Sequence, residues 1–328
     1  MLQSSSLRDQ GNLDQRINME LVVQEWHGTS ALLPDLPNSN HSSRDPGNPQ
    51  TMVIWFIRAF KGNQKKLAHL WRLEGARERL RLVKADLMEE GSFDDAILGC
   101  HGVFHSASPT EILEPAVEGT LNVLRSCKKN PSLRRVVLTS SSTAVRVRPD
   151  EDFDSNIPLD ESSWSSVEFC KTLQLWYPLS KILAEKAAWD FCKENGIDLV
   201  TVLPSFVIGQ SLPPDLCSTA SDVLGLLKEG ETEKFKRLGR MGYVHIDDVA
   251  LCHILVYEHE SANGRYLCSS TVLDNNELAS LFEQLGRPRY DLNTSKLKSL
   301  GFKFKTIQEM FDDCIASLVE QGHLTQSV

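Results

Sequence analysis

A tyrosine and a lysine four residues apart, Tyr177-Pro178-Leu179-Ser180-Lys181, follow a run that ends in hydroxyls, Val136-Val137-Leu138-Thr139-Ser140-Ser141-Ser142. On a helix, positions four apart share a face, so an ammonium can sit beside a phenol and lower its pKa. A serine at the end of a neighbouring strand can present its hydroxyl to the same point. An acidic phenol, a hydroxyl and a cation are the groups needed to orient and protonate a carbonyl oxygen as hydride reaches its carbon. Tyr177 is read as the acid, Lys181 as the cation and Ser141 as the orienting hydroxyl, with Ser142 as the alternative serine.

These residues need a strand to carry the serines and a helix to carry the pair. The run from Arg134 is apolar enough to be a buried strand, and a second such run, Asp198 to Leu203, follows the Tyr-Lys helix and ends in Pro204-Ser205. Near-continuous apolar strands separated by helices indicate parallel pairing, and ligands of such sheets bind beyond the strands' carboxyl ends. Upstream the alternation continues. A helical stretch covers Leu67 to Leu73, a strand Leu80 to Ala85, a capped helix Ser92 to Leu98 and a strand Gly102 to Ser106. Pro115 to Lys128 is an amphipathic helix with proline in its first turn. Downstream, Gly242 to Ala250 reads as a buried strand entering a helix, Arg265 to Cys268 as a strand and Ile307 to Gln321 as a terminal helix. The fold class is α/β, a Rossmann-type doubly wound parallel sheet with a smaller C-terminal substrate region. Three parts are expected: an atypical, partly disordered segment at 1–63, a cofactor and catalytic core at 64–209, and a mainly substrate-binding region at 210–328.

Composition excludes several functions. A net charge of −9 disfavours a nucleic-acid surface. The 8 cysteines are scattered without metal-ligand spacing and read as reduced thiols. No basic start leads into an apolar run, so no signal peptide is expected. The apolar cluster Met52 to Ile57 is too short to cross a bilayer, although it could supply a strand. Residues 1 to about 50 show no sustained period and read as loop or disorder. His245 with Asp247 and Asp248 could suggest a metal, but the pattern fits a helix start better. The Lys and Arg cluster from Lys234 to Arg240 reads as a solvated loop.

Several segments in order, Ala85-Asp86-Leu87, His105-Ser106-Ala107-Ser108-Pro109, the serine strand, Tyr177 to Lys181, Pro204-Ser205-Phe206 and Tyr243 to Ala250, resemble extended short-chain dehydrogenase/reductases. Within them, residues 64 to 325 look like the plant dihydroflavonol reductase and cinnamoyl-CoA reductase group. Dihydroflavonol reductases carry asparagine five residues after the catalytic serine, where this chain has Arg146. The cinnamoyl-CoA reductase sequence around the tyrosine is replaced by Leu175-Trp176-Tyr177-Pro178-Leu179. The segments Leu212 to Leu226 and Glu309 to Gly322 are instead similar to tetraketide alpha-pyrone reductases.

That resemblance implies NADPH-dependent reduction of a ketone on polyketide pyrones destined for sporopollenin in the pollen wall. It implies association with the polyketide synthases of that pathway and contact with the endoplasmic reticulum, while the missing targeting signals set the expectation of a cytoplasmic location. It also implies site roles. Lys181 holds the nicotinamide ribose, Asp86 and Leu87 contact adenine, Ala107 and Pro109 run alongside the cofactor, and Pro204 and Ser205 line the nicotinamide pocket. Arg44 and Lys66 match positions that bind the 2′-phosphate.

The departures set a further expectation. Relatives begin with a strand, a Thr-Gly-x-x-Gly-x-x-Gly loop and a helix whose amino end holds the pyrophosphate. No such glycine spacing precedes Asp86, and an insertion from Pro49 to Asn63 separates Arg44 from Lys66. The first strand and its loop are expected to be lost, and cofactor affinity to fall. Three functions follow: a pyrone-type ketoreductase, a cofactor-incompetent binding protein that keeps the substrate cleft, and another carbonyl reductase or an epimerase of the same superfamily. The Leu- and Pro-rich stretch Gln210 to Leu227 suits a greasy acyl chain and favours the first.

Overall fold

The computed structural model describes residues 20–23, 54–59, 68–72, 76–106, 113–152, 154, 157–211, 216–229, 239–275 and 290–325. Seven strands form one parallel sheet in the order β3-β2-β1-β4-β5-β6-β9. They are β1 (Glu20–Val23), β2 (Ile54–Ala59), β3 (Leu80–Ala85), β4 (Gly102–His105), β5 (Arg135–Thr139), β6 (Leu199–Pro204) and, closing the far edge, β9 (Gly264–Cys268). Strand order reverses between β1 and β4, which is the topological switch where doubly wound folds bind ligands.

One expectation is corrected here. The first strand is not lost: Glu20–Val23 pairs in parallel with β2 on one side and β4 on the other. It is an interior strand, not an edge. Four residues of Glu-Leu-Val-Val are too few to stand out as a period in polar surroundings, and only the neighbouring strands define them. The apolar cluster at Met52 to Ile57 does supply a strand, β2, which bridges β1 and β3. The glycine pattern remains missing from the sequence between β1 and β2.

Consecutive strand residues point to opposite faces, and the core divides accordingly. Val103, Val136 and Leu199 join Phe93, Ile97, Val123 and Leu124 on one face. Phe104, Val137 and Val200 join Val249, Val256, Tyr257 and Leu297 on the other. The first face is covered by α2 (Asp94–Ile97), α3 (Leu113–Lys128) and α6 (Trp176–Asn195). The second is covered by α8 (Ile246–Glu258) and α9 (Ser295–Ser299). The remaining helices are α1 (Ala76–Arg79), α4 (Thr143–Arg146), α5 (Val167–Thr172), α7 (Ser218–Glu229) and α10 (Ile307–Glu320).

Helix ends follow local chemistry, with one departure. α6 stops at Gly196, whose positive φ of 66° closes the last turn with an N–H to the Cys192 carbonyl. α10 opens with a capping box between Thr306 and Glu309. Ser92, expected as a cap, instead accepts the Asp86 N–H at 2.6 Å, and α2 begins at Asp94 without a side-chain cap. Within the expected Leu67 to Leu73 helix, the described residues 68–72 hold a 3₁₀ turn at Leu70–Arg72.

A second sheet, β10-β8-β7, sits beyond the carboxyl edge of β6. It contains β7 (Phe206–Ile208), β8 (Arg240–His245) and β10 (Thr271–Asp274), with β8 parallel to β7 and antiparallel to β10. α7 and α10 cover it through Val223, Met310, Cys314 and Leu318. The apolar residues of 216–227 are therefore largely spent on packing: Val223 is fully buried, and Leu224 and Leu226 lie against the same cluster. Residues 212–215, and 230–238 of the basic stretch, lie outside the described residues.

Candidate active site

β5 runs out at Thr139, and the next residues turn directly into α4, so Ser140, Ser141 and Ser142 are held at the sheet's carboxyl edge. Their backbone is stitched to β6: the Ser140 N–H donates to the Val202 carbonyl at 2.8 Å, and the Ser142 N–H donates to the Pro204 carbonyl at 2.9 Å. α6 passes in front of this edge and brings Tyr177 and Lys181 to it.

The Ser141 hydroxyl lies near enough to the Tyr177 phenol to act on its pKa. The Ser141 oxygen already accepts the Thr143 N–H at 3.2 Å and the Thr143 hydroxyl at 3.0 Å. With those lone pairs used, its own O–H is the part left for the phenol or a substrate carbonyl. Tyr177 is 41% exposed. Burial raises its pKa, against which the Ser141 hydrogen bond and the charge of Arg146 pull down. Ser142 caps no ligand group here and holds the start of α4 through its carbonyl.

Lys181 behaves differently from the sequence expectation. Its Nζ donates to the Thr139 carbonyl at 3.0 Å, and the cation that acts on Tyr177 is Arg146. The physical reason is burial. A buried ammonium must find an acceptor, and the last β5 carbonyl is the one that faces α6. Desolvation brings the Lys181 pKa down from 10.5 to about 8, with the charge of Glu185 opposing. Thr139 is itself fixed from the other face, where its hydroxyl and His253 Nε2 lie 2.7 Å apart while His253 Nδ1 is 2.7 Å from the Val249 carbonyl.

Beneath the site lies a buried ionic network that sequence reasoning missed. Glu185 is 1% exposed and takes a two-point contact from Arg265, at 2.7 and 3.2 Å. It also accepts the Ser140 hydroxyl at 2.6 Å and the Thr201 hydroxyl at 3.0 Å. Arg265 stacks on Trp164, 3.8 Å from the ring centre, and donates to the carbonyls of Glu161 and Ser163. One signal was available. Glu185 lies four residues after Lys181 and eight after Tyr177, on the same helix face. The network fixes the serine strand, the catalytic helix and β9 to one another.

The cofactor-side expectations divide. Arg44, Lys66, Ala107 and Pro109 lie outside the described residues. Asp86 stands exposed where β3 ends, and its carboxylate accepts the Met88 N–H at 2.9 Å. Leu87 is buried instead, and its carbonyl accepts the Asn122 amide at 2.7 Å. Ser205 follows β6 with its N–H on the Cys268 carbonyl, and its buried hydroxyl has no partner among the described residues. At the start of α8, His245, Asp247 and Asp313 bring ligand atoms within 4.8 Å of one another. The Lys305 ammonium lies 2.6 Å from Asp247 and 3.3 Å from Asp313, so the positive charge there is already supplied. His245 also caps α8 by accepting the Asp247 N–H at 3.0 Å.

A serine-ended strand and a Tyr-Lys helix meeting at the carboxyl edge of a doubly wound sheet define the extended short-chain dehydrogenase/reductase class. The chain belongs to the NAD dependent epimerase/dehydratase family, whose profile matches residues 47–269. It is 68% identical over 286 residues to tetraketide alpha-pyrone reductase 1 of Arabidopsis thaliana, a match covering 80% of this chain and 87% of that protein. Among solved structures, vestitone reductase from alfalfa (Medicago sativa L.) superposes with a TM-score of 0.75 at 33% identity, covering 93% of this chain and 99% of that one. Yeast methylglyoxal/isovaleraldehyde reductase Gre2, complexed with NADPH, superposes with a TM-score of 0.66 at 25% identity, covering 83% of this chain and 93% of that one.

Proposed function

We propose that this chain is an NADPH-dependent reductase of the ketone carried by tetraketide alpha-pyrones. The observation that carries the reading is that the serine-ended strand β5 and the helix bearing Tyr177 and Lys181 meet at one sheet edge, with Lys181 Nζ 3.0 Å from the Thr139 carbonyl, in a chain 68% identical to a tetraketide alpha-pyrone reductase. The described residues fit the nicotinamide end of a cofactor: Lys181 uses one of its three N–H donors, and the Ser205 hydroxyl is buried without a partner. When bound, the dihydronicotinamide supplies hydride to the carbonyl carbon. Ser141 orients the carbonyl oxygen, Tyr177 gives it a proton from its phenol, and Lys181 holds the ribose. In this reading Asp86, at the end of β3, contacts the adenine end, and Pro204 with Ser205 borders the nicotinamide.

The substrate chemistry fits a reductase of this kind. When a tetraketide closes on itself as a pyrone, three of its four carbonyl carbons enter the ring, and the fourth remains as a side-chain ketone. That ketone is the proposed target. We extend the proposal to association with the polyketide synthases that would supply it, on the cytoplasmic face of the endoplasmic reticulum. No described helix is long and apolar enough to cross a membrane.

The test is a product assay with purified chain, NADPH and a long-chain tetraketide pyrone. Conversion to a product two mass units heavier, with matching NADPH consumption, is expected. A second reading, a pyrone-binding protein that no longer holds cofactor, is favoured by the missing glycine spacing before Asp86. Fluorescence titration separates the two: pyrone binding without NADPH binding at millimolar cofactor would establish the second.

Titration of Lys181 gives a further expected result. Its cationic form serves the reaction, so kcat/KM should fall as pH rises through about 8, approaching tenfold per unit above it. Stability should move the other way. Its folded pKa lies below 10.5, so the folded state sheds the proton first, and stability rises between about 8 and 10.5. A rate profile with parallel thermal melts checks both; a flat rate profile to pH 10 would remove Lys181 from the role.

A further inference from the structure

Thr139 closes β5 with two groups that leave the strand in different directions. Its carbonyl lies one residue past the last rung with β4, which pairs Leu138 with His105, and it accepts the Lys181 ammonium at 3.0 Å. Its hydroxyl crosses to the opposite face of the sheet, where His253 Nε2 on α8 stands 2.7 Å away. The direction of that bond is decided at the other ring nitrogen. Nδ1 lies 2.7 Å from the Val249 carbonyl, which can only accept, so Nδ1 carries the proton, Nε2 offers a lone pair and the Thr139 hydroxyl donates to it. Burial pushes the His253 pKa down to about 4, so the ring stays neutral and keeps this arrangement at neutral pH.

The next residue is tied as firmly. Ser140 donates its hydroxyl to Glu185 on α6 at 2.6 Å. The peptide between Thr139 and Ser140 therefore has the side chains at its two ends locked to different helices, one on each face of the sheet. A peptide that has run past the ladder on one side is free to tilt unless its neighbours hold it. Tilting would move the acceptor on which a buried ammonium depends. Ser140 holds this peptide from the α6 side, and His253 holds it from the α8 side. A neutral imidazole suits that task, because it supplies a lone pair without adding a charge that would compete with Glu185 for the ammonium.

We propose, on the basis of the reductase reading above, that His253 is a positioning residue for the reduction: through the Thr139 hydroxyl it fixes the Thr139 carbonyl, and with it the place of the Lys181 ammonium that holds the cofactor ribose. His253 lies across the sheet from the catalytic helix and acts only through Thr139.

The test removes one bond from each of its ends. Thr139→Val takes away the hydroxyl and keeps the branched shape, and His253→Phe keeps a buried ring without an acceptor. Each should lower kcat by about tenfold or more while KM for the pyrone changes by less than about twofold, because the ammonium shifts and the substrate contacts do not. The double variant should be no slower than the slower single one, since the same bond is missing from all three. His253→Gln, whose amide oxygen can accept the Thr139 hydroxyl, should recover part of the rate. Another readout needs no turnover. In the chain without cofactor, the Lys181 ammonium, followed by carbon NMR at its Cε, should titrate in both single variants below the parent's value of about 8. A slack carbonyl stabilises the cation less, while Glu185 on the same helix keeps its own contribution. A structural role alone would lower thermal stability and leave kcat per folded molecule and the Lys181 titration where they are. Single variants with the parent's kcat and the parent's Lys181 titration would overturn the proposal, and so would losses that multiply in the double variant. Should His253→Phe fail to fold, Thr139→Val decides alone. A parent chain that reduces no pyrone removes the reductase reading, and this inference with it.

Discussion

Replacing Tyr177 with phenylalanine is expected to lower kcat by about 10³-fold while leaving the fold and the affinity for pyrone almost unchanged, the loss anticipated when a positioned general acid is removed. The ring stays, so the packing of α6 stays. What disappears is a proton source whose acidity the nearby Ser141 hydroxyl and Arg146 charge increase. Ser141 remains tied to Thr143 in the variant and can still orient a carbonyl, which is why binding should survive. Single-turnover rates with saturating NADPH, alongside equilibrium binding of the pyrone, separate the two effects. A phenylalanine variant that turns over within tenfold of the parent would mean that another group delivers the proton.

The largest loss of stability is expected from Arg265→Met. Methionine fills much the same space but leaves the Glu185 carboxylate, with a fully buried side chain, without its counter-charge. Breaking a buried pair from one side typically costs about 3–5 kcal/mol, a large part of the stability of an ordinary domain. Three further features of Arg265 are lost with it: the contacts to the Glu161 and Ser163 carbonyls and the stacking on Trp164. Chemical denaturation should show the midpoint moving to markedly lower denaturant. The double variant Arg265→Met, Glu185→Leu should recover part of the loss, because no charge is then left stranded. Equal stability of the single variant and the parent would show that the Arg265 to Glu185 pair adds nothing net to the fold.

The Glu185 network also shows where sequence reading stopped. Its helix position was legible, since a carboxylate four residues after Lys181 falls on the face that carries the reactive pair. Its partner was not, because Arg265 comes 80 residues later on another strand and only the parallel register of β6 with β9 brings it across. Ser92 failed for a related reason. Its type suits a helix cap, but the turn after β3 offered it the Asp86 N–H first.

Two features of this protein are fixed by local periodicity and side-chain chemistry alone. A tyrosine and lysine four apart must share a helix face, and apolar runs that end in serine or proline must deliver those residues to a sheet edge; both follow from backbone geometry that every chain obeys. Three others were settled only by tertiary packing. The four residues Glu20–Val23 become an interior strand because β2 and β4 provide hydrogen-bonding partners on both sides. Lys181 turns to the Thr139 carbonyl because a desolvated ammonium takes the nearest acceptor. The charge of Arg146, thirty-one residues before Tyr177, reaches the phenol because the fold brings the end of α4 near the start of α6, which no spacing rule contains.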